Sequence, residues 1–258
     1  MPMTLPTHPV AVVPLKMWRP RWFDGVALVI GAASPDVAFA MDGYGVTIHS
    51  HAWHAPLWWA LPLTLVASRL VRWSAPVVAT HLPSGGPLAL RDYGVLGAVR
   101  HRWWVTVISA LLGAISHIGW DAFTHPTVDT GLVLFPALHQ QVIPGLPWWE
   151  LLSIVSNVLG AVVGVVLLLR LGRDGLLRAW HGPAPVRPRH PAAFWSAVIA
   201  VLIVGGVLLP LQPVRYPHDQ AIRCMVAIWV ALLTGAFAAA ASSRFPVRRP
   251  RHCRRHYN

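Results

Sequence analysis

Cysteine is nearly absent from the 258 residues: Cys224 and Cys253 are the only two. The topology derived below puts them at opposite ends of the last apolar segment, so they are not expected to pair, and neither belongs to a Cys-type metal motif. Charge is also scarce. Charged residues make up 12% of the chain against 55% hydrophobic ones, and mean hydropathy is positive, which argues against an ordinary soluble enzyme. Glu150 is the single glutamate. No internal repeat of fixed period is visible. The first 20 residues lack a basic start followed by an apolar core and contain Pro2, Pro6, Pro9, Pro14 and Pro20. A cleavable signal peptide is therefore not expected, and insertion is expected to rest on the spans themselves.

What the chain does have is net positive charge, +12, and its distribution argues against a nucleic-acid partner. Residues 69 to 103 carry Arg69, Arg72, Arg91, Arg100 and Arg102; residues 170 to 191 carry Arg170, Arg173, Arg178, Arg187 and Arg189; the tail carries Arg244, Arg248, Arg249, Arg251, Arg254 and Arg255. The intervening stretches 43 to 53 and 125 to 147 have no Lys or Arg, and 212 to 220 has only Arg215. This alternation follows the positive-inside rule, with the basic loops cytoplasmic, so the basicity reads as topology. No nucleic-acid partner is expected.

Apolar stretches near the 20 residues needed to cross a bilayer run about 54 to 72, 104 to 124, 148 to 169, 192 to 211 and 221 to 243, with a shorter Pro-interrupted one at 24 to 41. The expected fold is all-α, a polytopic integral membrane bundle of about six transmembrane helices plus a short amino-terminal helix over 8 to 18. A second helix over 22 to 36, antiparallel to it, would bring His8 level with Asp36. Trp53, Trp58, Trp59, Trp73, Trp103, Trp104, Trp148 and Trp149 fall near span ends, as interfacial anchors do; Trp120 is a candidate wall of a site. The expected organisation is a membrane-embedded domain over 1–172, a cytoplasmic linker over 173–191, a two-span scaffold hairpin over 192–243 and a basic cytoplasmic tail over 244–258.

The segment Ser116-His-Ile-Gly-Trp-Asp-Ala-Phe-Thr-His-Pro126 places His117, Asp121 and His125 at steps of four. Each such step turns a helix by about 400° and climbs about 6 Å, so neighbouring members can share an ion while the whole trio, at about 12 Å, cannot. Pro126 disfavours a helical His125, so the helix is expected to end near Thr124 and His125 can curl back. Two ions, or one ion with an outer histidine, are both open. The topology gathers further ligand types at the same face: Asp36 leaving the first span and His49, His51 and His54 entering the next. Ionisable groups at membrane depth cost about 2.5–3.5 kcal/mol each on insertion scales, and imidazole with carboxylate suits zinc and other divalent first-row metals.

Simpler readings exist for each residue. His117 and Asp121 can form a hydrogen-bonded pair without an ion. His125 can interact with the helix dipole, Glu150 sits favourably in a first turn, and Asp36 after Pro35 can be a turn residue. His49 and His54 read as plain loop histidines, and His139, Asp129, His218 and Asp219 as loop residues. His81, His101, His181, His190, His252 and His256 fall on the cytoplasmic side.

The order Thr7-His8-Pro9, Ile30-Gly-Ala-Ala-Ser-Pro-Asp36, Ser50-His51 before an apolar span with Leu61-Pro62, and Ser116 to His125 resembles the bacterial domain of unknown function 4184 family. The likeness covers about residues 3 to 170. That family in turn resembles inner-membrane proteins grouped as metal-dependent hydrolases with the fold of zinc-dependent phospholipase C and single-strand nucleases. The resemblance implies metal ligation by His8, Asp36, His51, His117, Asp121 and His125, one or two divalent ions with zinc foremost, and a bacterial inner-membrane location. The chain departs from the soluble enzymes where they take further His and Glu ligands from a later helix; here that helix offers Ser153, Ser156 and Asn157, with Glu150 a turn earlier.

The leading expectation is a membrane-bound metal-dependent hydrolase acting on a lipid-like phosphoester or acyl substrate at the outer face, with Asp36 or Asp121 as general base. The expected partners are membrane lipid and such a substrate. The alternatives are a structural metal site, closed by four protein ligands, and a proton- or metal-coupled transporter. Few spans, no repeat and polar residues away from the midplane weigh against transport.

Overall fold

The computed structural model describes residues 7–126 and 135–243; Asp129 and the tail over 244–258, with His252, His256 and Cys253, lie outside them. The described residues form eight α-helices: α1 His8–Trp18, α2 Gly25–Val37, α3 Leu61–His81, α4 Trp103–Thr124, α5 Trp148–Arg173, α6 Leu176–His181, α7 Pro191–Leu208 and α8 Pro217–Ser242. A π-helical turn, Pro56–Ala60, leads into α3, and a 3-10 segment, Leu90–Gly97, precedes α4. The only strands among the described residues are the hairpin of β1 Gln141–Ile143 and β2 Leu146–Pro147.

Among the described residues four helices are long and apolar enough to cross a membrane: Trp103–Thr124, Trp148–Arg173, Pro191–Leu211 and His218–Ser242. The other two expected spans differ for local reasons. The stretch 24 to 41 is divided into the 13-residue α2 and a 3-10 turn, Ala38–Met41, after Pro35. The stretch 54 to 72 opens with the π-turn and continues as α3 to His81, taking Arg69, Arg72 and Pro76 into the helix and lowering its apolar character. His218 and Asp219, expected in a loop, begin α8. Asp219 caps it by accepting from the Tyr216 and Arg215 N–H groups at 2.8 and 2.9 Å.

The centre of the bundle is the crossing of α2 and α4. A methyl group built on Gly31 would stand 2.4 Å from the Ala110 carbonyl oxygen, and one on Gly113 would stand 2.4 Å from that of Leu28. Only residues without a Cβ permit this approach. Ala27, Ala32, Ala110 and Ala114 continue the fully buried seam, the small-residue pattern by which helices pack closely in lipid. Contacts advance in step along both helices, from Asp24 beside Ser109 to Asp36 beside His117, so the two run in the same direction.

Asp24 anchors the start of this pair. As the N-cap of α2 it accepts from the Ala27 N–H at 3.2 Å, satisfying a donor the helix leaves free. Its other oxygen accepts from Arg72 of α3 and, at 2.7 Å, from Thr106 of α4. Burial pushes the carboxyl up, but the Arg72 guanidinium, the Thr106 hydroxyl and the Ala27 N–H outweigh it and hold it below its ordinary range. α1 lies antiparallel to α2: Lys16 packs on Gly25 at one end, and Val12, a turn earlier, packs with Leu28 and Ala32 further along α2.

α7 and α8 pack through Phe194, Val198, Ala231 and Ala239 and lean on Val77 and Val78 of α3. Arg223 of α8 ties this hairpin to the chain after α2 by donating to the carbonyls of Ala40 at 3.1 Å and Asp42, and it braces the hairpin's own loop through the Pro213 carbonyl at 2.7 Å. His81 fixes the far side: its Nδ1–H donates to the Val77 carbonyl, Nε2 accepts from the His190 N–H, and the ring stacks on Phe194.

Two substitutions test this architecture by thermal and denaturant unfolding of the purified protein. Gly113→Val forces α2 and α4 apart and is expected to cost about 1–3 kcal/mol or more. Asp24→Asn leaves the Arg72 charge without its partner and is expected to cost about 3–5 kcal/mol. Wild-type stability in both variants would remove the crossing and its anchor as determinants of the fold.

Candidate metal centre

Asp36 is placed by the last turn of α2. Pro35 has no N–H, so the Gly31 carbonyl one turn back loses its helical donor. The Ser34 hydroxyl donates to it instead at 2.8 Å, and Trp59 Nε1–H donates to the Ser34 carbonyl at 2.9 Å. His51 comes from the turn before α3, where the Ser50 N–H bonds the Ile48 carbonyl. His117 and Asp121 come from α4, one and two turns beyond Gly113.

These four residues converge. One ligand atom from each of Asp36, His51, His117 and Asp121 lies within 4.8 Å of all the others. His51 Nε2 is 3.3 Å from Asp36 Oδ1 and 3.3 Å from Asp121 Oδ2; His117 Nε2 is 3.4 and 3.2 Å from the same two oxygens. The two Nε2 atoms are 3.2 Å apart. Five of the six edges of the group thus measure 3.2–3.4 Å. A tetrahedron around an ion with bonds of 2.0–2.1 Å has edges of about 3.3–3.4 Å. The four residues can hold a divalent metal ion.

The outer contacts orient the rings for that task. His117 Nδ1 is 2.6 Å from the Ala32 carbonyl, which only accepts, so Nδ1 carries the hydrogen and Nε2 is the atom turned toward the carboxylates, free to ligate once it carries no proton. His51 Nδ1 meets the Ser50 hydroxyl at 3.1 Å, leaving Nε2 inward as well. Burial pushes the His51 imidazole down, but Asp121 and Asp36 outweigh it and hold it above its ordinary range. Two buried carboxylates demand positive charge here, which protonated imidazole or a divalent cation supplies.

The remaining two expected ligands stand on the other side of Asp121. His8 Nε2 lies 3.3 Å from Asp121 Oδ1, and its ring stacks on His117 at 3.7 Å between centroids. His125 Nδ1 lies 3.2 Å from the same oxygen and 3.0 Å from the Thr124 hydroxyl. α4 ends at Thr124; His125 is extended at its C-cap, and its N–H still bonds the Asp121 carbonyl. Burial and the neighbouring His117 push the His8 imidazole down to about 4. His8 Nε2 and Asp121 Oδ1 are both buried and have no hydrogen-bond partner among the described residues, so the donor set fits a cation on this flank too.

Other candidates stay apart. His49 and His139 are exposed. His54 accepts from Trp58 Nε1–H at 2.8 Å. Trp120 is 49% exposed and faces outward, so it does not wall the site. Glu150 sits in the first turn of α5, and Ser156 and Asn157 donate to the Ser153 carbonyl of their own helix. The structure adds Phe39, which stacks on His51 at 5.2 Å and meets His218 of α8 edge-on at 4.8 Å. Of these supports only Ser50, next to His51, stood in a motif singled out from the sequence.

Elemental analysis of the purified protein is expected to find stoichiometric divalent metal that is lost from His117→Ala and Asp121→Ala. Ser50→Ala, which removes an outer contact, should weaken metal affinity by about 10–100-fold. Retention of metal in both alanine variants would refute a centre at these residues.

No curated protein and no solved structure matches the chain. The family described as "Domain of unknown function (DUF4184)" matches residues 1–243, which takes in α7 and α8 as well as the cluster. A chain matched over nearly its whole length, with His8, Asp36, His117, Asp121 and His125 at the ends of α1, α2 and α4 and His51 in the turn before α3 brought together, belongs to the DUF4184 family.

Proposed function

We propose that the protein is a membrane-embedded, metal-dependent hydrolase whose substrate is a lipid-like phosphoester presented at the membrane face opposite the arginine-rich loops. The observation that carries this reading is the two-sided use of Asp121. Oδ2 completes the four-residue group, while Oδ1 faces His8 and His125 without a hydrogen-bond partner. A purely structural ion is satisfied by four protein ligands. The additional His8 and His125 give the centre ligands beyond that need, for a second ion or for a reacting group.

A divalent ion, with zinc the best match to this ligand set, supplies Lewis-acid polarisation of a phosphoryl oxygen and a more acidic water when bound. The chain's residues do the rest. Asp36 meets His51 and His117 through Oδ1, leaving Oδ2 as the oxygen suited to accept a proton from water. His117, held by the Ala32 carbonyl, keeps the carboxylates in register. His51 is the most exposed of the six side chains, at 17%, and marks the side of approach. Exposed Trp53 and Trp58 on the same segment suit the headgroup level, which supports a lipid phosphoester over a freely soluble substrate.

The closeness of the four-residue group to a complete tetrahedron favours a second reading, a structural ion that pins α2, α4 and the turn before α3. The two readings diverge experimentally. A hydrolase is expected to release product from phosphatidic acid or phosphatidylglycerol in mixed micelles, to stop with a chelator and to recover with zinc. Asp36→Asn should lower turnover by about 10²–10⁴ while KM changes little. Bound metal with no turnover on any phosphoester or acyl lipid, together with a large fall in Tm on chelation, would select the structural reading.

A further inference from the structure

A second site lies at the opposite end of the same helices. An apolar cavity of about 270 Å³ opens between α1, α2, α6 and the segment leading into α4, lined by Val13, Leu28, Val29, Val71, Leu96 and Leu177 among others. It shares Val99, His101, Trp180 and His181 with a more open, polar cavity of about 360 Å³ that also takes in Arg21 and Arg100. Together they fall in the size range of ligand pockets, about 300–1,000 Å³. Its lining on α2 ends at Ile30, six residues or about 9 Å of helix before Asp36, and none of the metal-centre residues lines it, so it is not a lobe of that site.

The charged groups in its apolar part are already engaged. Lys16 donates to the carbonyls of Pro20 at 2.6 Å and Phe23 at 3.0 Å, and Asp24 is held by Arg72, Thr106 and the Ala27 N–H. The apolar part therefore presents hydrocarbon walls without a free charge of its own. The junction with the mouth is different: His101 Nε2 is buried there and has no hydrogen-bond partner among the described residues. Burial pushes both His101 and His181 below their ordinary range; the fixed positive charge of the mouth comes from Arg21 and Arg100.

The surroundings say from where a ligand would enter. Trp18 and Trp22 flank Arg21 and are 68% and 70% exposed; Trp103, just after Arg100 and Arg102, is 77% exposed. Exposed indoles beside arginines mark the lipid–water boundary, and arginine suits phosphate through paired N–H donors.

We propose that this pocket binds one anionic phospholipid from the leaflet on the arginine-rich side, with an acyl chain against Leu28, Val71 and Leu177 and the phosphate at Arg21, Arg100 and His101. The arginine at this face is thus a binding element as well as a topology signal. The proposal stands independently of the metal centre.

The test is native mass spectrometry of the full-length protein, purified in detergent and equilibrated with equimolar phosphatidylcholine and phosphatidylglycerol. The wild type is expected to retain one phosphatidylglycerol in preference to phosphatidylcholine. Arg21→Gln with Arg100→Gln, both at exposed positions, should reduce that retention by roughly tenfold or more, since charge-assisted bonds are lost. Val99→Trp, which fills the shared wall, should abolish it. Metal content and Tm, measured in parallel, should stay at wild-type values in the arginine variant. Equal retention in wild type and variants, no preference between the two lipids, or no retained lipid would overturn the proposal. Displacement by millimolar inorganic phosphate as effectively as by lipid would overturn it in favour of a free anion.

Discussion

The hydrogen bond from His117 Nδ1 to the Ala32 carbonyl, 2.6 Å long across the α2–α4 crossing, is the contact on which the centre depends. It exists because Gly31 and Gly113 let two helix backbones meet without a Cβ between them. A carbonyl is only an acceptor, so it determines which nitrogen of His117 carries hydrogen. The same contact sets the rotation of α4 against α2, and thereby the 3.2–3.4 Å spacing of Asp36, Asp121 and His117.

Charge is handled differently at the two ends of this helix pair. At one end a single buried carboxylate, Asp24, is matched by Arg72 and by hydroxyl and backbone donors, so that carboxylate is fully engaged and structural. At the other end two carboxylates face four imidazoles and, among the described residues, no paired arginine or lysine. Imidazole exchanges a proton for a metal ion readily, whereas guanidinium does not. The composition of each end therefore decides that one is a fastener and the other a centre able to take a cation.

The carboxy-terminal hairpin is joined to this centre rather than set apart from it. Arg223 bonds the carbonyls of Ala40 and Asp42, and His218 touches Phe39, which stacks on His51. None of these contacts was legible in the sequence, because the acceptors are backbone carbonyls and the linking residue is an unremarkable phenylalanine. For the same reason His218 and Asp219 looked like loop residues until the helix they begin was seen.

Much of the local structure follows from the chain itself. Pro126 stops α4 at Thr124 through a clash with the preceding backbone, and steps of four put His117 and Asp121 on one face. The short helix over 8 to 18 was likewise legible, and so were the all-helical fold and the presence of helices long and apolar enough to cross a membrane. The number of spans was less so: Pro35 shortens α2 and Arg72 sits inside α3 because Asp24 neutralises it, an interaction between residues 48 positions apart. Only the tertiary structure decided that Asp121 uses its two oxygens on different partners, that His8 and His125 lie beyond the four-residue group, and that Arg21 and Arg100 border a cavity. Sequence spacing sets angles along one helix; distances between helices come from how closely their surfaces can pack, and here two glycines set that limit.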